Sequence, residues 1–313
     1  IKEENGIRTG FHLGRLYGIY RSPNGGGIYA FTSLLLSVIL ILKFYRRNAF
    51  FKLLLSGNML IEFCYISLTD SNGTFVSIFA FTFIFLFTYF HIGKKENFIL
   101  AVIKGIFGIL AVILLLKIIQ FVLSYIPSMW NMFSAPVQEV SASLATHTSN
   151  NPSNLSEGLY RIETTRQYNY ELGTGRQDIW KSGIAIICNH PLWGVGKADL
   201  FTLAQDMQLT KINPSISAGL HNVFLQIAVV SGIPSMLIFV LFIIKSAKYT
   251  LLKISHQMAR SNANIYMLSL IGAYLASMVI NNLFEATITA MQSGLLIFFW
   301  MLIGIVNRRE TNI

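Results

Sequence analysis

Charge is what this sequence has least of. Only 12% of its 313 residues are Asp, Glu, Lys or Arg, against 53% hydrophobic residues, and the mean hydropathy is +0.56. Soluble domains carry about 25% charged residues, so an ordinary soluble globule is excluded and a polytopic membrane protein is indicated. Cysteine is also scarce. Cys64 sits in an apolar run and Cys188 lies far from it, which gives neither a metal spacing nor a disulfide framework; both read as structural thiols. The first residues are polar, start at Ile1 rather than Met, and lack the n-region and h-region of a signal peptide. The chain is therefore expected to be the C-terminal portion of a longer protein. No internal repeat and no low-complexity tail is visible.

Acid is scarcer than base, 14 residues against 24, for a net charge of +10. The distribution of that surplus argues against nucleic acid as a partner. Apolar runs of spanning length, about 20 residues, occur near 28–45, 53–69, 74–92, 97–126, 222–244, 263–284 and 289–306. Basic residues crowd the short loops after the first, third, fifth and seventh runs: Arg46, Arg47 and Lys52; Lys94 and Lys95; Lys245, Lys248, Lys253 and Arg260; Arg308 and Arg309. The short loops between carry only Asp70 and Glu285. This alternation follows the positive-inside rule. It predicts about seven transmembrane helices, with residues 1–27, 70–73, 127–221 and 285–288 outside the cytoplasm and the C-terminus within it. The expected fold is an all-α integral membrane protein. Residues 1–126 hold an outer segment and four spans, 127–221 form one large outer loop, and 222–313 hold three spans and the C-terminus.

Within the spans, Glu62 is a charged residue near mid-membrane; a helix–helix hydrogen bond is the plainer reading beside a functional one. The large loop opens on aromatic "SYIPSMWNMF" and passes through the Ser/Asn/Thr-rich "SASLATHTSNNPSNLSEG". From Gly175 it reads as an amphipathic helix, with Arg176, Trp180, Ile184 and Ile187 on one face. Asn189-His190-Pro191 ends it, because proline cannot continue a helix and disfavours helix at the residue before it. This helix is expected to lie on the outer surface or over the helix bundle.

Three outer features could carry chemistry. "GRLYGIYRSPNGGG" (14–27) places Arg15 and Arg21 beside a Pro-Asn-Gly turn containing Asn24. Arg176 adds a guanidinium to a helix N-terminus, where free N–H groups and the dipole favour an anion. "GLHNVFLQ" (219–226) sets His221 and Asn222 at the mouth of the fifth span, with Gln226 one turn on. Each has a plain alternative: interfacial arginines snorkel to lipid phosphates, and a histidine at a helix start is often a cap or a surface residue.

Taken in order, "RLYGIYRSPN", "GRQDIW…NHPLWGVG" in a large outer loop, and "HNVFLQIAVVSGIP" before the last two spans resemble the O-antigen ligase and O-antigen polymerase superfamily. The resemblance covers nearly the whole chain. It implies transfer of an oligosaccharide from a polyprenyl-diphosphate carrier on the outer face of the bacterial cytoplasmic (inner) membrane. It also implies that Arg15, Arg176 and His221 serve catalysis. Arg21, Asn24, Trp180 and Asn222 are the expected substrate-binding residues. The pattern departs at "TDSNGTF", where Ser71-Asn72 stands in place of the family's Ser-Arg; Arg21 could substitute for that cation.

The chemistry agrees on its own terms. Arginine binds phosphate bidentately, and a neutral imidazole suits deprotonation of a sugar hydroxyl. No Asp-x-Asp pair occurs on the outer segments to hold a divalent metal, so no metal and no cofactor is expected. Expected partners are the lipid-linked oligosaccharide and membrane lipids, with other polysaccharide-assembly membrane proteins as candidates. A flippase of lipid-linked sugars is the competing class, disfavoured because transporters place polar residues at mid-membrane and often show paired repeats. A non-catalytic assembly protein is the third class. Between polymerase and ligase the reading leans to polymerase.

Overall fold

The computed structural model describes residues 2–4, 7–12, 15–20, 22–44, 48–146, 176–209, 219–259, 265–289 and 294–308. Every apolar run read from the sequence contains a helix among its described residues. Helices α1 (Pro23–Lys43), α2 (Ala49–Thr69) and α3 (Asn72–Phe87, with a π-helical turn Thr88–Gly93), the first part of α4 (Phe98–Thr146) and α7 (Val223–Ala259) are long and apolar enough to cross a membrane. Two shorter apolar helices follow, α8 (Ile265–Asn281) and α9 (Gly294–Asn307). The protein is a multi-pass, all-α membrane protein. α4 continues past 126, where the outer loop was expected to begin, and ends at Thr146.

Ahead of the helices lies a small element the sequence reading did not assign. Strands β1 (Lys2–Glu4), β2 (Ile7–His12) and β3 (Arg15–Gly18) pair in an antiparallel order, β1-β2-β3. The β2–β3 register slips at Gly10/Phe11, where Gly10 has φ 82. Such a bulge needs a residue that tolerates positive φ, which glycine does.

The chain forms two compact units. The first comprises Ile1–Asn72 and Ala111–Tyr168. In it α1 begins at Pro23, so "PNGGG" is the first turn of a helix and not a turn before one. The reason is local: Ser22 is the N-cap, its Oγ accepting from Asn24 N, and proline suits the first helical position. Gly26, Gly27, Ile28, Phe31 and Leu35 of α1 are buried, as is Ile66 of α2. One turn before Glu62, Asn58 Nδ2 of α2 donates to Ser33 and Ser37 Oγ of α1. Burial, then the nearby Glu62 carboxylate and Tyr29, push the Tyr20 phenol above its ordinary value.

The second unit comprises Gly73–Leu110 and Asn169–Ile313. α5 (Arg176–Asn189) and α6 (Gly196–Asp206) pack with the start of α7 around Ile179, Ile186, Leu200, Ala204, Leu220 and Val229. The buried face of α5 is Ile179, Ser182, Gly183 and Ile186, while Ile184 is 54% exposed. The face expected through Arg176, Trp180, Ile184 and Ile187 is therefore rotated. Small residues decide this: a Cβ at Gly183 would already touch Leu225 and Leu220, so that face approaches α7 most closely. α5 ends at Asn189, before His190-Pro191 as expected.

Between α5 and α6 the chain crosses α7 at a kink. Gly232 has φ 84 and ψ 167 inside α7, a conformation essentially restricted to glycine. In a regular helix Ile233 N would bond to Val229 O. Here Ile233 N donates to Pro191 O and Val229 O accepts from Val195 N. The bond lost at the kink is thus replaced by two bonds to the crossing segment. A Cβ at Gly232 would collide with the Leu192 backbone, and one at Gly194 with that of Val230. The "HPLWGVG" and "SGIP" stretches form one backbone-to-backbone junction.

Candidate active site

Three elements of the second unit meet where α7 begins. The loop after α8 is shaped by Asn282, which is fully buried. Its Oδ1 accepts from Ile288 N, its Nδ2 donates to Met278 O and Thr287 Oγ1, and its carbonyl accepts from Val223 N. This asparagine ties the loop to the first residue of α7 and presents Glu285.

Glu285 uses its two oxygens on two partners. Oε1 accepts from Arg176 Nη2 at 2.7 Å, and Oε2 lies 3.1 Å from His221 Nδ1. The side chains of Glu285, Arg176 and His221 are 14%, 21% and 38% exposed, so the carboxylate is deepest and the imidazole opens most to the outside. Arg176 is the first residue of α5, as expected. The Arg–Glu pair is charge-assisted, and such bonds are roughly twice as strong as neutral ones. A carboxylate on Nδ1 selects the tautomer that carries its proton there and leaves Nε2 as the acceptor.

The backbone around His221 is fastened on both sides. Trp180 Nε1 donates to Leu220 O, Leu220 N donates to Gln226 Oε1, and Asn222 Oδ1 accepts from Phe224 N and Leu225 N as the N-cap of α7. Asn222 Nδ2 donates to Leu283 O in the Glu285 loop. His221 itself has φ 49, a left-handed conformation uncommon outside glycine, and such residues cluster at functional sites. Trp180, Asn222 and Gln226 thus hold the histidine's backbone.

In the first unit the structure brings Arg15 and Asn24 together. Arg15 Nε donates to Thr69 O and Nη2 to Asn24 Oδ1, each at 2.9 Å. Ser71 Oγ donates to the same Asn24 oxygen at 2.9 Å. Ser71 directly precedes α3, which begins at Asn72. Arg21 lies outside the described residues.

Sequence reasoning missed Glu285 as a site residue. Its signal was present: it is the sole charged residue between the last two apolar runs. Among the described residues no group of three or more His, Cys, Asp or Glu could hold a metal ion.

Fold and site together define a polytopic membrane protein with an Arg–Glu–His cluster where α7 begins. A family model described as O-antigen ligase matches residues 57–240, more than half of the chain. The chain belongs to the O-antigen ligase family, a family of ligase- and polymerase-type membrane enzymes. The matched stretch contains Arg176, Trp180, His221 and Asn222, with Arg15, Asn24 and Glu285 outside it. No curated protein matches the chain.

Proposed function

We propose that this protein is a metal-independent glycosyltransferase of the bacterial cytoplasmic membrane. It joins polyprenyl-diphosphate-linked oligosaccharide units on the extracytoplasmic face, as a polysaccharide polymerase. The observation that carries the reading is the Arg176–Glu285–His221 cluster. In the reaction an acceptor sugar hydroxyl attacks the anomeric carbon of the donor. The new glycosidic C–O bond forms as the bond to the diphosphate breaks, and the lipid diphosphate leaves with that electron pair. The hydroxyl proton goes to His221 Nε2. Glu285, bonded at Nδ1, holds the ring for that role and with its other oxygen sets the direction of the Arg176 fork. The guanidinium then offers its remaining N–H donors to the departing diphosphate, which stabilises charge as it develops. Arg15 is proposed as a further cationic group of the reaction, with Asn24 fixing its direction and Arg21 contributing less.

Extracytoplasmic placement is supported by the basic residues following alternate apolar runs, which assign the Glu285 and His221 ends of α8 and α7 to the side opposite Lys245, Lys248 and Lys253. The test is transfer by the purified protein from a lipid-linked donor, with and without chelator, comparing wild type with His221→Ala. Turnover unchanged in the variant removes His221 as base, and activity abolished by chelator removes the metal-free mechanism. In cells lacking the protein, loss of long glycans with single units still attached means polymerase; loss of all attachment means ligase.

A further inference from the structure

Outside the site, the sharpest apolar feature of the second unit is the turn between α5 and α6. Trp193 is 87% exposed and Leu192 62%, although tryptophan is on average a highly buried residue. The turn is nevertheless firmly held. His190 N donates to Ile186 O, Gly194 N to His190 O, Val195 N to Val229 O, and Ile233 N to Pro191 O. The last two bonds fasten it to the Gly232 kink. The apolar run of α7 begins at Val223, nine residues before the kink and about 13 Å away along a helix. The turn is therefore attached well past the level at which α7 becomes apolar. Among the described residues, the exposed large apolar side chains of α7 begin at Leu237 and continue through Ile238, Leu241, Phe242 and Ile244. Between Val223 and Met236 there are none. The lipid-facing surface of α7 thus starts within about two turns of the point where the Trp193 turn is fastened.

We propose that the Pro191–Gly194 turn is a membrane wedge whose occupant is the bilayer itself. Leu192 and Trp193 enter the interfacial zone of the leaflet adjacent to the Val223 end of α7, continuous with its lipid-facing belt. Trp suits that zone because its apolar ring and polar N–H match a boundary that is wet on one side. Irregular backbone survives near hydrocarbon only when its polar groups are paired, and the bonds to Val229 and Ile233 supply that pairing for Val195 and Pro191. Exposed Lys197 and Asp199 follow the wedge in α6 and stay with water and headgroups. Because α5 leads directly into the wedge, insertion sets the orientation of the helix that carries Arg176 at its other end, about 20 Å away.

The test uses the full chain in phospholipid nanodiscs. A fluorescent label is placed at Trp193→Cys in a Cys64→Ser/Cys188→Ser background, with Lys181→Cys as the comparison position. We expect the label at 193 to emit further to the blue and to be quenched several-fold more by lipids with spin-labelled chains than by aqueous iodide; the label at 181 should behave the opposite way. Iodide quenching at 193 equal to that at 181 would overturn the wedge, as would a blue-shifted label that lipid quenchers do not reach, because that means a protein contact. A label-free arm compares Trp193→Phe with the parent in brominated lipid. The lipid-quenched part of the tryptophan emission should fall, and an unchanged quenched fraction also refutes insertion.

Discussion

Two arginine clusters, one in each compact unit, are built in different ways. Arg15 bonds to the Thr69 backbone carbonyl and to an amide nine positions away, Asn24. Arg176 reaches across 109 positions to a carboxylate that also holds His221. The first cluster sits on backbone that must be ordered for β3, α1 and the end of α2 to meet. The second is a side-chain relay whose backbone is fixed by other residues, Trp180, Gln226, Asn222 and Asn282. Where the scaffold and the proposed reactive groups are separate residues, those groups are expected to be changeable without loss of the fold. Where one arginine also ties backbone, chemistry and stability are expected to change together.

The largest effect should come from His221→Ala. Loss of a general base costs about 10²–10⁴-fold in rate, and thermal unfolding of the variant should be close to wild type. An equally large drop in stability would erase the contrast between the clusters. Next is Glu285→Gln, which keeps the shape but removes the charge. The expected loss is about 10–100-fold in turnover, the scale of a hydrogen bond to a charged group at roughly 1.5–3 kcal/mol. Full turnover would reduce Glu285 to a loop residue. Arg176→Lys should lose roughly tenfold, because an ammonium cannot both hold Glu285 and fork a phosphate; single-turnover rates with lipid-linked donor would read it.

Arg15→Ala sharpens the comparison from the other side. Activity should fall and the melting temperature with it, since roughly 1.5–3 kcal/mol is tied up in bonds from a charged donor. Loss of activity at unchanged stability would make the two arginines alike. The smallest effect is expected from Asn222→Ala. Removing the cap of α7 costs about 0.5–2 kcal/mol, seen as a modest drop in melting temperature. Turnover should fall only as far as His221 loses its position.

Much of the fold was legible because membrane spans are written in composition. A run such as "FGILAVILLLKIIQFVL" (107–123) reads as a helix in lipid, because a helix pairs each backbone N–H and C=O within the segment. Helix ends were legible where proline marks them, as at His190-Pro191. The strands at 2–18 were not, being three to six residues long with a glycine bulge inside. The buried face of α5 was misjudged because hydrophobic periodicity rewards large residues, while this face also buries Ser182 and Gly183 and approaches Leu225 of α7 at Gly183.

For the site, Arg176 and His221 were found from helix position and family pattern. Glu285 was read only as the acid of a short loop, because nothing local says that a residue 64 positions from His221 will meet its imidazole. The sequence by itself determined that the chain crosses the membrane repeatedly, that its basic residues gather after alternate spans, and that a polar segment interrupts the apolar text. These are properties of local composition, set by the cost of leaving polar groups in hydrocarbon. Only the tertiary structure decided that Glu285 couples Arg176 to His221, that Trp180 and Gln226 hold backbone, and that Gly194 and Gly232 let two chain segments touch. Those outcomes depend on which surfaces approach closely enough to bond, and that is a property of packing between distant elements, not of any single stretch.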